Sequence, residues 1–295
     1  MTGTAPFQSQ VEGACPACSG TWKWLYQKNG CSISRCTGCG LGRAAPTAFD
    51  AKDYYTEDYF NGGHSDGYFD YAASEEVLRH EFSRVARVLR RYCRPGARLL
   101  EIGCAYGFFL KEARKSFEVH GIEIAEAAVQ ACHRAGLREV HHGAADEAML
   151  SRIGQVDAIV MLDVIEHLTD PFHTLQACSR HLSPGGAMLI TTGDFNSLFA
   201  QLSGRHWRLM TPPQHLWFFT PSSIRRIADR LGLELVSCTH PHKIVPVSLM
   251  LFQIGRMLGI KPRPRRSLVS RIGVPVNLFD AMRIVLRKPA ETLPS

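Results

Sequence analysis

Four cysteines stand in two matched pairs, Cys15-Pro-Ala-Cys18 and Cys36-Thr-Gly-Cys39, spaced C-x2-C-x17-C-x2-C. Each C-x-x-C turn aims two thiolates at one ion, and two such turns complete the tetrahedron of a closed, structural zinc site. The first 45 residues are too few to bury much of a core, so the metal would hold this module together. Between the pairs, Trp22-Lys-Trp24-Leu-Tyr26 and Ser32-Ile33-Ser34 alternate with period two, which predicts a small hairpin. The expected organisation is a zinc ribbon over 1–45 and an aromatic linker over 46–73, carrying Tyr54, Tyr55, Tyr59, Phe60, Tyr68 and Tyr71. Docking of two modules explains those rings as well as substrate contact does.

From residue 74 the pattern changes to alternating helix and strand. Glu75 and Glu76 open a helix running to about Cys93, with Val77, Leu78, Phe82, Val85, Val88 and Leu89 at helical spacing. Buried strands are expected at 98–102, 118–123, 156–162 and 186–192, with helices between them. The run Val156–Leu162 is nearly all apolar, as a parallel strand covered on both faces should be. A helix is expected over 221–232 and a strand over 233–236. Such alternation implies an α/β fold, a doubly wound Rossmann-like sheet with its ligand at the carboxyl ends of the strands.

The first of these strands leads into Glu101-Ile-Gly103-Cys-Ala-Tyr-Gly107. The spacing is G-x-x-x-G and lacks the G-x-G-x-x-G pyrophosphate fingerprint. Glu101 at the strand end would repel a pyrophosphate and attract a ligand carrying ammonium and sulfonium charge. Glu123 ends the next strand, where a carboxylate can accept both hydroxyls of a ribose. Together these features suit S-adenosylmethionine.

Leu99-Leu-Glu-Ile-Gly-Cys-Ala-Tyr-Gly107, His120-Gly-Ile-Glu123 and Val156 to Leu168 resemble the motifs of class I S-adenosylmethionine-dependent methyltransferases. Asp163-Val-Ile-Glu-His-Leu-x-Asp-Pro171 and Leu182-Ser-Pro-Gly-Gly186 are similar to the branch containing ubiquinone-biosynthesis O-methyltransferases. The cysteine module, Tyr54–Phe60 and Pro213-Gln-His-Leu-Trp-Phe-Phe219 resemble zinc-ribbon members of sugar, polysaccharide and natural-product pathways. The likeness covers roughly residues 15–240.

The resemblance implies a seven-stranded methyltransferase sheet over 74–240, with an acceptor-covering insert at 194–220 and Met282-Arg-Ile-Val-Leu286 as the family's last, antiparallel strand. Glu101, Gly103, Cys104, Ala105 and Gly107 would line the methionine part of the cofactor, Glu123 would bind the ribose, and Ile124 would flank the adenine. Ala145, Asp146, Leu162 and Asp163 complete the expected cofactor set. Ala105 stands where the family usually has its middle glycine, and Ala144 where an adenine-contacting Asp is usual, with Asp146 as the substitute. His215, in the insert, and His167, after the fourth strand, are the candidate bases for deprotonating an acceptor hydroxyl. Related enzymes hold a divalent metal on an acid-x-x-Glu-His set, which here would be Asp163, Glu166 and His167. Trp207, Trp217, Phe218 and Phe219 would either wall an apolar or sugar-stacking acceptor pocket or pack as core.

The formal charge is +7. Residues 241–295 carry ten Lys/Arg against Asp280 and Glu291, which leaves the remainder close to neutral. That argues against a nucleic-acid binder along the whole chain. The basic residues concentrate in an expected insertion at 241–278 that would act as a helical lid or a homodimer contact, with Val247, Leu251, Ile254 and Leu258 on one face. No run is long and apolar enough for a transmembrane span, and the polar start and unpaired thiols fit a cytoplasmic protein. The leading expectation is a methyltransferase for a small-molecule acceptor, a hydroxyl of a sugar or secondary metabolite. An RNA methyltransferase using ribbon and basic tail is one alternative; a non-catalytic zinc-ribbon adaptor with a degenerate cofactor fold is the other.

Overall fold

The computed structural model describes residues 13–46, 75–247 and 273–290. The aromatic linker beyond residue 46 and the expected lid or dimer segment at 248–272 lie outside the described residues.

The main sheet has seven strands. Its members are β4 (Arg98–Ile102), β5 (Glu118–Glu123), β6 (Val140–His142), β7 (Val156–Leu162), β8 (Leu182–Gly193), β10 (Glu234–Thr239) and β13 (Ala281–Arg287), in the order β10-β13-β8-β7-β4-β5-β6. The strands from β4 to β8 run parallel, and β13 inserts antiparallel to both β8 and β10. This is the doubly wound, Rossmann-like arrangement that the alternation predicts. In the middle of β7, Ala158, Ile159, Val160 and Met161 are all fully buried, which is why that strand reads as an unbroken apolar run.

Two helical layers cover the sheet. On one face α1 (Glu75–Leu89), α2 (Phe108–Ala113) and α3 (Glu126–Arg134) bring Phe82, Leu89, Phe109 and Val129 against Leu99, Val160 and Leu189. On the other, α4 (Glu147–Ile153), α5 (Pro171–His181) and α7 (Pro221–Leu231) bring Leu150, Leu175, Ile224 and Ile227 against Leu100, Ile159 and Ile190. The start of α7 follows from its sequence: Thr220 and Ser223 form a reciprocal capping box, and Pro221 occupies the first turn.

The paired-cysteine segment folds as β1 (Trp22–Lys28), β2 (Cys31–Cys36) and β3 (Gly42–Ala45), an antiparallel meander that includes the expected hairpin. A fourth strand, β9 (Trp217–Phe218), comes from the insert after β8 and pairs with β3 through Gly42↔Phe218 and Arg43↔Trp217. Side chains reinforce the seam. Thr220 Oγ1 donates to the Cys39 carbonyl at 2.8 Å, Asn29 to the Pro212 carbonyl at 2.8 Å, and Arg35 to Asn196 Oδ1 at 2.7 Å. Trp207, Trp217, Phe218 and Phe219 are all buried, and Trp207 and Phe218 share a cluster with Ile33, Ala44 and Phe195. Of the two readings open for these rings, the structure shows packing.

The insert, which also forms α6 (Leu198–Ser203), is tied to the start of β13 by one buried carboxylate. Asp280 accepts from Trp207 Nε1 and from both Nε and an Nη of Arg208, each at 2.9 Å. Removing it would strand a buried indole N–H and an arginine. Asp280→Ala is expected to cost about 2–4 kcal/mol in denaturant unfolding. A cost below about 0.5 kcal/mol, the level of an ordinary surface change, would show that the clamp holds nothing.

Candidate active site

Four Sγ atoms converge at the base of the ribbon. Cys15 and Cys39 lie 3.6 Å apart, Cys18 and Cys36 3.4 Å apart, and all four fall within 4.8 Å of one another. Tetrahedral zinc with Zn–S bonds near 2.3 Å sets sulfurs about 3.8 Å apart, so the spacing fits the ion. The hydrogen bond shared with Cys39 draws Cys15 down to about 5, against the opposing effect of burial, and pushes Cys39 up. One thiolate therefore forms readily, as metal capture needs. Gly20 and Gly38 press on the cluster: a Cβ on either would come within 3.0 Å of a sulfur.

At the carboxyl end of β4 the chain turns through Gly103–Gly107. Gly103 has φ +70°, and a Cβ there would meet Val164 Cγ2 at 2.6 Å. Gly107 has φ +69°, and its Cβ would meet Leu137 Cδ1 at 2.4 Å. Both glycines are thus required by backbone conformation and by close approach of neighbouring elements. Ala105 sits between them at φ +46°, a region costly for a residue with a Cβ, which explains why glycine is usual there. Its N–H donates to Glu123 Oε2 at 2.8 Å, and Ala125 N–H donates to Oε1 at 2.9 Å. The Glu123 carboxylate at the tip of β5 is thereby fixed beside the turn.

Glu101 is buried, and among the described residues its Oε2 has no hydrogen-bond donor. Burial pushes its carboxyl well above the usual range, and the nearby Cys132 and Glu123 push the same way. A buried carboxylate oxygen without a donor fits a cationic ligand group. Cys104 is buried against Gly121, and Ile124 and Leu162 are half-buried at the strand tips. Asp146 is exposed and caps α4 by accepting from Met149 N–H at 2.9 Å, with the half-buried Ala145 preceding it.

Past β7, Asp163 turns back at φ +54° and its Oδ1 accepts from Thr191 Oγ1 at 2.9 Å. The next residues form one helical turn, Ile165–His167. His167 and His215, far apart in sequence, meet edge to face with ring centroids 4.6 Å apart. Each Nδ1 lies against a carbonyl, Gln214 O at 2.9 Å for His167 and Leu209 O at 2.7 Å for His215. A carbonyl only accepts, so the His215 ring carries its proton on Nδ1 and keeps Nε2 as a lone pair, while His167 is also hydrogen-bonded to the backbone of Asp163. Burial lowers both, His215 to about 3, with the neighbouring His167 adding to the effect. Glu166, His167 and His215 present one ligand atom each within 4.8 Å. The family resemblance implies Asp163 as the third member of that group; among the described residues His215 stands there, and Asp163 Oδ1 accepts from Thr191.

The fold is the Rossmann-like methyltransferase sheet. The chain belongs to the methyltransferase-domain family whose profile matches residues 71–238. It is 29% identical over 151 residues to a ubiquinone biosynthesis O-methyltransferase of Aromatoleum aromaticum, covering 47% of this chain and 64% of that one. It is 32% identical over 152 residues to the protein of that name from Dinoroseobacter shibae, covering 48% of this chain and 61% of that one. This chain therefore spans slightly less than two thirds of the relatives it matches. Among solved structures, a SAM dependent methyltransferase from Archaeoglobus fulgidus aligns with TM-score 0.51 at 19% identity, over 81% of this chain and all of that one. A magnesium protoporphyrin IX methyltransferase from Synechocystis with bound SAH aligns with TM-score 0.52 at 13% identity, over 80% of this chain and 97% of that one. These two likenesses are of fold.

Proposed function

We propose that this chain is an S-adenosylmethionine-dependent methyltransferase that methylates a hydroxyl of a small molecule, a sugar or secondary metabolite. The observation that carries the reading is the pair of buried carboxylates, Glu101 and Glu123, set around the Gly103–Gly107 turn with one oxygen of Glu101 lacking a donor. Glu101 would take the ammonium of the methionine part, beside Gly103, Cys104, Ala105 and Gly107. Glu123 would accept from the ribose. Ile124, Ala145 and Asp146 would border the adenine, and Leu162 and Asp163 would close the site below the sulfonium. When bound, the cofactor supplies a methyl group on a sulfonium, ready for in-line displacement.

The chain's own part is to hold the acceptor and take its proton. Nε2 of His215 is the acceptor for that proton, with His167 packed against it. A ring drawn down to about 3 resists protonation in an empty pocket. The imidazolium formed on His215 would arise as the bound cofactor gave up its sulfonium charge with the methyl group, so the pocket's net charge would be unchanged. His215→Ala is expected to lower turnover about 100-fold or more, while cofactor affinity stays within about threefold, a change of under 1 kcal/mol. The acid limb of kcat/KM should lie below the ordinary imidazole value near 6.5, because burial lowers both rings. Labelled methyl transfer into extracts, with calorimetry of cofactor binding, measures both; unchanged turnover removes His215 from the reaction.

The grouping of Glu166 with the two rings favours a second reading. Glu166, His167 and His215 each offer one ligand atom within 4.8 Å of the others, a set suited to a divalent ion that would bind the acceptor oxygen. Turnover that falls on chelation and returns with added Mg²⁺ or Mn²⁺, the ribbon zinc remaining bound, selects this reading.

A further inference from the structure

Beside the cofactor turn, the α1 face of the sheet holds a separate cavity of about 300 Å³, framed by α1, β8, β13 and the segment at Pro241–His242. Its charge is one-sided. Four arginines line it, Arg84, Arg87, Arg91 and Arg283, with Glu81 the one carboxylate among the described lining residues. Arg84 and Arg87 stand on α1 and Arg91 in the turn that follows it, and all three are exposed. Arg283 rises half-buried from β13 and faces them from the sheet. Burial, and the positive charge of Arg91 and Arg84, lower the Arg283 guanidinium from its usual value, with Glu81 opposing. Like charges gathered at one hollow raise the energy of the ligand-free protein unless an anion enters.

The position gives that anion a role. Thr191 lines the cavity and is the register partner of Arg283 on the neighbouring strand. The same Thr191 donates from Oγ1 to Asp163 Oδ1 at 2.9 Å, and its carbonyl accepts from Asp163 N–H at 3.1 Å. The arginine cavity is thus one hydrogen bond from the end of β7, where the acceptor would meet the methyl group. Guanidinium groups bind phosphoryl oxygens in bidentate fashion, and several around one hollow suit a diphosphate better than a carboxylate. A few hundred cubic ångströms is the size of a small-molecule site. The body outside the basic carboxyl-terminal part is close to neutral, so a polynucleotide would find no track leading in.

We propose that the cavity bounded by Arg84, Arg87, Arg91 and Arg283 is the docking site for a phosphoryl or diphosphoryl group on the acceptor, which makes the substrate a phosphorylated small molecule. This assignment rests on the methyl-transfer reading above. The arginines hold the acceptor's anionic end while His167 and His215 meet its hydroxyl.

The test titrates inorganic pyrophosphate into the zinc-loaded full chain by calorimetry, with and without S-adenosylmethionine. Pyrophosphate should bind together with the cofactor. Arg283→Gln and Arg84→Gln should each weaken it about tenfold, Arg283→Lys should weaken it less, and cofactor affinity should stay within about twofold in all three. Arg84 is exposed, so its variant separates loss of the site from loss of the fold. Cofactor binding without pyrophosphate binding overturns the proposal, as does equal pyrophosphate affinity in wild type and variants, or one-for-one competition between the two ligands. Binding of a polyuridylate RNA but not of pyrophosphate, lost in the same variants, overturns it in favour of a polynucleotide. Arginine-dependent pyrophosphate binding in a chain that takes no cofactor overturns the methyl-transfer reading and the acceptor role with it, leaving only an anion site.

Discussion

Stripping the metal from the four-cysteine cluster should lower the melting temperature of the whole chain by about 10 °C or more and abolish turnover. No ribbon cysteine lies in the Glu101–Glu123 turn, so a purely local module would leave the catalytic sheet untouched. The structure gives a different expectation because the ribbon sheet is completed by β9, from the insert that carries His215. Ala44 N–H donates to the Leu216 carbonyl at 2.8 Å, and Thr220, the cap of α7, donates to the Cys39 carbonyl at 2.8 Å. Cys15, Cys36, Cys39 and Leu41 belong to the same buried cluster as Ile224 and Ile227 of α7. Loss of zinc would therefore release the cap of a core helix, the partner strand of β9 and the backbone on either side of His215. Structural zinc contributes several kcal/mol, and in a unit of this size each kcal/mol moves the midpoint by about 2–4 °C. Calorimetric unfolding with and without a chelator, repeated for Cys36→Ser, measures the effect. The cofactor affinity of the chelated protein at low temperature should fall much less than turnover, because Glu101 and Glu123 stand on β4 and β5, away from the seam. A chelated chain that melts and turns over like the loaded one would show that the cysteines hold no structural ion.

What was legible in the sequence divides along physical lines. Local periodicity reports burial, so the apolar run of β7 and the alternation from residue 74 onward mark most strands of the sheet within a few residues, while the three residues of β6 are too few to carry a period. Short spacings report geometry where chemistry fixes it, as in the two C-x-x-C turns whose sulfurs do converge. Partnership between distant segments leaves no such mark. The two residues of β9 are too short to carry a strand period, and their pairing with Gly42 and Arg43 depends on the ribbon already lying there. The meeting of His167 and His215 is likewise set by backbone carbonyls of Gln214 and Leu209. Asp280 looked like one of two acids in a basic tail, whereas it is the buried anchor of Trp207 and Arg208. The arginine cavity was visible only as a count of charge. Three of its four arginines belong to α1 and the turn after it, well outside the basic carboxyl-terminal part to which that count drew notice.

The second large effect is expected at Glu101. Glu101→Gln should weaken S-adenosylmethionine binding about 100-fold or more and at the same time stabilise the ligand-free chain. The two changes have one cause. In the ligand-free protein the Glu101 carboxyl is buried, lacks a donor on Oε2, and is pushed well above its ordinary value by desolvation. A carboxyl whose folded value is raised binds a proton more tightly in the native state than in the unfolded one. Its effect on stability is therefore absent below the unfolded value near 4.3 and grows as pH rises toward the folded value. Glutamine carries no charge to desolvate, so the variant should match the wild type in acid and exceed it increasingly through the neutral range. The same substitution removes the negative charge meant for the cofactor's ammonium, so the gain in stability and the loss of affinity should appear together. Glu123→Ala separates this account from a general weakening of the turn. Its two backbone donors, Ala105 N–H and Ala125 N–H, would lose their acceptor, so that variant should lose cofactor affinity and stability together. Thermal unfolding from pH 5 to pH 9 and cofactor calorimetry on both variants supply the four readings. If Glu101→Gln binds cofactor like the wild type, or loses stability as Glu123→Ala does, the carboxylate at the end of β4 is a structural group and not the cofactor's charge partner.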